Sequence, residues 1–129
     1  MDYITRTGYR LEAARLLFDR KSFADVVREC QELVELSLKA LLHMALIETP
    51  HLHDVGPLLL EQLKRLPISV QPHASALAKI SKSLRRDREL AFYGSQDITP
   101  SDFYKEEDAR KALDDAAWVQ ETCQSAIVG

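Results

Sequence analysis

The chain has 129 residues, 46% of them hydrophobic and 29% charged, with a formal net charge of −3. That length suits one domain, residues 1–129, able to bury roughly two thirds of its unfolded surface. The composition is that of an ordinary soluble globular protein, and the negative balance excludes a general nucleic-acid coat, so any basic site is local. Glycine is scarce, with 4 in the chain, and runs of β-branched residues are absent, which points to an all-α fold. The first 18 residues carry charges throughout and no apolar run approaches the ~20 residues of a membrane span. The expectation is a cytoplasmic protein with no membrane partner.

The spacing of Ile4, Leu11, Ala14, Leu17 and Phe18 predicts a first helix over Asp2 to Asp19, closed by Arg20-Lys21. Ser22 with Asp25 three residues on reads as a capping box opening the second and longest helix, which runs to about Ile47. Its seam is Cys30, Leu33, Val34, Ser37, Leu41 and Met44. Val26, Val27, Leu38 and Leu42 add apolar flanks, and Glu29, Glu32 and Glu35 mark its wet side. A helix so broadly apolar is either central in a bundle or shared with a partner subunit.

Residues 49–54 read as a linker, since Pro50 cannot continue a helix. A short third helix follows from Val55 to Leu66, anchored by Leu59, Leu63 and Leu66, with Pro57 tolerated in its first turn. His51, His53 and Asp54 make the one metal-like cluster. Zinc needs three or four convergent ligands, so Asp54 is assigned instead to capping the third helix, and no metal or cofactor is expected. Pro67 and Pro72 bracket the next connection.

The stretch from Ala76 to Gly94 predicts an amphipathic helix stopped by Gly94. Leu77, Ile80, Leu84 and Ala91 form its apolar stripe, with Ser81 and Arg88 between them. Lys79, Lys82, Arg85 and Arg86 make the other side basic, against Asp87 and Glu89. Residues 95–101 read as a loop. The last helix starts near Ser101 to Tyr104 and runs to about Ser125, with Glu106, Glu107 and Asp108 complementing its N-terminal dipole. Ala109, Ala112, Leu113, Ala116, Val119 and Cys123 are its buried stripe; Trp118 lies off it, at an edge or a subunit contact. Four long helices with short connections predict an antiparallel up-and-down four-helix bundle with a short additional helix. Cys30 and Cys123 fall on apolar stripes and are expected as buried free thiols, poor nucleophiles both, although sequence separation alone leaves a disulfide open.

The candidate binding residues are those of the basic helix. Lys82, Arg85 and Arg86 suit a phosphate, since arginine offers a bidentate fork to its oxygens. The competing reading is a solvated face near a helix C-terminus, where cations are favourable anyway. Arg88 sits on the apolar stripe, where a charge is costly unless paired; it pairs with a carboxylate of a neighbouring helix or lines a cleft between subunits. Tyr93 is an aromatic at the helix end or a ligand contact. No glycine-rich phosphate loop and no local Ser/His/Asp or Cys/His set is present.

Four stretches in order resemble the HEPN domain (higher eukaryotes and prokaryotes nucleotide-binding). Ala13-Ala14-Arg15-Leu16-Leu17 has the A-x-x-L-L character of the first helix. Residues Cys30 to Leu42 are similar to Q-x-x-E-x-x-L-K-A-L-L. His53-Asp54-Val55-Gly56-Pro57-Leu58-Leu59 resembles H-D-[LV]-x-x-L-L. Arg88 to Gly94, then Pro100 to Ala112, resemble the family's closing proline, aromatic and E-D-A-x-x-A run. The resemblance implies a dimerised bundle of four helices plus a short one, often beside a small nucleotidyltransferase in a toxin–antitoxin pair, with Tyr93 a site such a partner would modify. It also implies a branch of metal-independent ribonucleases, in which an arginine binds phosphate and a histidine four to six residues later assists proton transfer.

This chain departs from that pattern. Counted from Arg85, Arg86 or Arg88, the histidine position falls on Leu90 to Tyr93, and no histidine follows His73. Tyrosine, with an ordinary pKa near ~10, is a poor proton shuttle at neutral pH. The expectation is therefore a non-catalytic homodimeric module that binds a nucleotide or RNA phosphate through Lys82, Arg85, Arg86, Arg88 and Tyr93, or pairs with a nucleotidyltransferase. The alternatives are a divergent ribonuclease using Arg88 and Tyr93, and a purely structural bundle.

Overall fold

A computed structural model describes residues 2–49, 54–93 and 104–128; the side chains of residues 2, 3 and 86–93 lie outside that description. Among the described residues five α-helices follow in order: α1 Asp2–Asp19, α2 Phe23–Met44, α3 Gly56–Glu61, α4 Ala74–Tyr93 and α5 Glu106–Val128. Single 3₁₀ turns stand at Leu63–Arg65 and Gln71–His73, and no strand occurs among the described residues. The expected all-α bundle of four long helices and a short one is what forms.

Side-chain pairs give the helix directions. Arg10 reaches Glu29, and Phe18 packs against Phe23 across the connecting turn, so α2 runs back along α1. The Arg110 guanidinium lies over the Phe18 ring, while Gln120 nears Gly8, so α5 also runs antiparallel to α1. α2 is the hub, with its largest interfaces to α5 and α1 and a further one to α4. α4 in turn carries α3.

The breadth of apolar surface on α2 explains its place. Val26, Leu33, Val34, Leu38, Leu41 and Leu42 are fully buried within this one chain. Each such side chain contributes about 1.5–3 kcal/mol of burial. The flanking apolar residues are thus covered by α1, α4 and α5, and a partner subunit is not needed to account for them. Glu29 and Glu35, expected on the wet side, are half-buried and paired: Arg10 Nη1 lies 2.8 Å from Glu29, and Lys39 Nζ lies 2.9 Å from Glu35.

Alanines at the α5 seam let it approach closely: Ala109, Ala112 and Ala116 are buried, followed by Val119 and Cys123. α5 begins at Glu106, later than expected, because the Lys105 N–H donates to Asp108 Oδ2 at 2.9 Å and fixes the first turn there. It continues to Val128, three residues beyond Ser125. Trp118 is half-buried and meets His73 edge-on at 5.5 Å. It therefore covers the edge where α5 passes the start of α4.

Three helix ends differ from expectation. The Ser22 hydroxyl donates to Asp25 Oδ2 at 2.6 Å and does not accept from the helix N–H groups, so the capping box is replaced by one hydroxyl–carboxylate bond. α2 stops at Met44, before Ile47, because Leu46 turns to φ 62°. The Leu46 N–H then reaches the His43 carbonyl and the Ile47 N–H the Leu42 carbonyl, and Ile47 folds back into the core. This is a Schellman motif with leucine where glycine is usual. Met44, at the edge of that ending, is 40% exposed and leaves the seam. α1 ends the same way at Lys21, also φ 62°. The third helix is shorter than expected: it ends at Glu61 and resumes as the 3₁₀ turn. The proposed stop at Gly94 and the loop 95–101 lie outside the described residues.

Candidate functional site on helix α4

α4 grows from a one-turn 3₁₀ segment in which Pro72 presets the backbone and needs no donor. Its first three turns bury Ala74, Leu77, Ser81 and Leu84, spaced by three and four residues, with Ile80 packed at the rim of the core. This spacing leaves Ser75, Ala76, Lys79 and Lys82 exposed on the other side. Arg85 follows one turn after Lys82 and is half-buried. Residues three apart on a helix stand about 5–6 Å apart at their Cβ atoms, so Lys82 and Arg85 are neighbours that one phosphate group can span. Arg86, Arg88 and Tyr93 belong to the last turns of α4, and their side chains lie outside the described residues.

The other end of the α4 frame is Asp54, just before α3. Asp54 Oδ1 accepts the Gly56 N–H at 3.0 Å, which satisfies the first turn of α3 from just outside it. Val55 stands between Asp54 and the helix. The capping role assigned to Asp54 therefore holds, from one residue further back than a formal N-cap. Sequence reasoning missed what else this oxygen does. It also accepts from the Ser81 hydroxyl at 3.4 Å, across 27 residues. The signal was present: a serine within an otherwise apolar stripe needs a partner when buried. Gly56 itself sits against the α4 backbone, where an added Cβ would lie 3.2 Å from the Ala78 carbonyl oxygen and 3.3 Å from Ala78 Cα.

The remaining candidate chemistry is quiet. Cys30 and Cys123 are free and buried, and burial pushes both thiols up to about 12, for Cys30 with help from the nearby Glu29 and Asp115 charges. Such thiols are poor nucleophiles at neutral pH. No group of three or more His, Cys, Asp or Glu side chains suited to a metal occurs among the described residues. His51 and His53 lie outside them. His43 is exposed in the last turn of α2. A groove of about 410 Å³ between α1 and α2 is walled by Arg10, Leu17, Asp25, Arg28, Glu29 and Glu32. Within it Arg10 pairs with Glu29 at 2.8 Å, and Asp25 accepts from the Ser22 hydroxyl. Among the described residues, no helix is long and apolar enough to cross a membrane.

The described part of α4 can therefore present two adjacent cations, and a third in Lys79 one turn earlier, on a helix whose other face is locked into the core. That arrangement can attract and orient an anion. Compared with known proteins, residues 1–126 match the family model for the HEPN domain. No curated protein and no solved structure matches the chain.

Proposed function

Since this chain belongs to the HEPN domain family, we propose that it is a non-catalytic member that holds a nucleotide or RNA phosphate on α4 and works as a homodimer beside a small nucleotidyltransferase. The observation that carries the non-catalytic reading is the sequence of the last α4 turns. Cations are present at Arg85, Arg86 and Arg88, and Leu90, Ala91, Phe92 and Tyr93 occupy the positions at which the ribonuclease branch places its histidine. Arg88 and Tyr93 join Lys82, Arg85 and Arg86 as the proposed ligand contacts. The exposure of Lys82 supports the binding part of the reading. Dimerisation, the nucleotidyltransferase partner and a toxin–antitoxin pairing rest on family membership alone.

Two measurements test this. Binding of a fluorescein-labelled single-stranded RNA, read by anisotropy, is expected to weaken at least ~10-fold in Lys82→Glu/Arg85→Glu and to fall steeply with salt, as phosphate contacts do. Affinity unchanged by the double charge reversal would defeat the binding reading. Metal-free incubation of the protein with the same RNA is expected to leave it intact. Cleavage lost in Arg88→Ala would replace the module with the ribonuclease.

A further inference from the structure

Three buried hydroxyls on the long helices behave in two ways. Thr7 Oγ1 donates to the Ile4 carbonyl at 2.6 Å and Ser37 Oγ to the Leu33 carbonyl at 2.7 Å, each within its own helix. This is the usual refuge of a hydroxyl on a buried helix face. Ser81 is also buried, 6% exposed between Leu77 and Leu84, yet its hydroxyl leaves its own helix and turns to Asp54. Packing alone would favour alanine at such a site, because a buried hydroxyl is costly unless bonded.

The same carboxylate oxygen holds the Gly56 N–H, and Gly56 lies so close to the α4 backbone at Ala78 that a Cβ would fit only if a neighbour gave way by a few tenths of an ångström. The start of α3 and the second turn of α4 thus meet backbone to backbone at Ala78, with Asp54 bonded to both sides of the crossing. Ser81 immediately precedes Lys82 and stands one turn before Arg85. A helix held this way cannot roll about its axis or slide without stretching the Ser81–Asp54 contact, and rolling is the motion that would redirect Lys82 and Arg85.

From this we infer that Asp54 is a positioning residue for the anion-binding face: acting through Ser81, it sets the rotation of the α4 turn that presents Lys82 and Arg85. The inference rests on the proposed binding role of α4. It carries an unusual sign. Removing a carboxylate near a cationic face should tighten anion binding if charge alone mattered. Removing this one is expected to weaken it, because orientation is lost. The weakening has a ceiling, since a ligand cannot lose more than the latch itself contributes, about two- to tenfold for one hydrogen bond.

The test uses the full chain and the fluorescein-labelled single-stranded RNA. Asp54→Ala and Ser81→Ala are expected to bind about two- to tenfold more weakly, while Asp54→Asn, which keeps the Oδ1 acceptor, stays near the parent. Amide exchange without RNA supplies an independent readout, expected to quicken over residues 79–85 in Ser81→Ala and not in Asp54→Asn. Tighter binding by Asp54→Ala, or exchange in Ser81→Ala identical to the parent, overturns the positioning role. Should RNA binding by the parent be absent or insensitive to Lys82→Glu/Arg85→Glu, the α4 reading fails on its own terms, and the positioning role with it, whatever the exchange shows.

Discussion

Leu46 offers a direct test of how the end of α2 is built. It adopts φ 62° with its side chain 83% exposed. Its N–H bonds the His43 carbonyl at 3.0 Å, and the following N–H, of Ile47, bonds Leu42 at 2.9 Å. In this left-handed conformation an L side chain crowds the following carbonyl oxygen, at a cost of about 1–2 kcal/mol. Glycine removes that strain but returns about 0.5–1 kcal/mol through its greater freedom in the unfolded chain. Little burial is at stake because the leucine is mostly in water, and the Arg65 Nη2 bond to the Leu46 carbonyl, 2.8 Å, involves only backbone on the Leu46 side. Leu46→Gly should therefore stabilise the fold by about 0.5–1 kcal/mol, or roughly 2–4 °C in melting temperature for a domain this size. Urea and thermal unfolding with an unchanged m-value are the measurements. Lys21→Gly, at the matching position of α1, should move in the same direction. A melting temperature that falls in both variants would refute the strain argument.

The α3–α4 crossing and the buried thiols give two more expectations. Gly56→Ala should destabilise by about 1–3 kcal/mol despite alanine's better helix propensity, because the new methyl group meets backbone, which yields less readily than a side chain; a melting temperature equal to the parent's would show the crossing to be looser than 3.2 Å implies. The thiols of Cys30 and Cys123 titrate near 12 in the fold, against an ordinary value of 9.0. Their folded pKa is raised, so above pH 9 the unfolded chain loses its protons first. The stability they contribute is complete below that pH and declines as pH rises toward 12, by on the order of 1 kcal/mol per thiol per pH unit. Urea midpoints should thus drop between about pH 8 and about pH 10, and drop less in Cys30→Ala/Cys123→Ala. Equal slopes in the two proteins would count against burial as the cause.

Periodicity made most of the fold legible. The stripe of Ile4, Leu11 and Ala14 located α1 to its observed ends, and the seam of Cys30, Leu33, Val34, Ser37 and Leu41 is buried in α2 as its spacing demands. Both patterns repeat every three to four residues, and no other regular structure places such residues on one side. Helix ends were read less well. Whether Ser22 caps a helix or bonds Asp25 depends on competition between nearby acceptors, and the sequence holds both outcomes. The early end of α2 at Met44 arises because Ile47 gains burial only if Leu46 turns to positive φ. That trade is decided by the core, since leucine carries no local preference for the turn.

The candidate site divides along the same line. The sequence alone determined that α4 is amphipathic, that Lys82 stands on its wet side, and that no histidine follows the arginines. These are properties of order and spacing along one helix. Only the tertiary structure decided that the apolar flanks of α2 are consumed inside the chain, so that their breadth is no evidence of a subunit contact. It also decided that Asp54, assigned to one helix cap, reaches Ser81 on another helix 27 residues later. The physical reason is common to both. Which surface covers a residue, and which acceptor a buried hydroxyl finds, depends on how separate helices pack, and spacing within one helix carries no record of its neighbours.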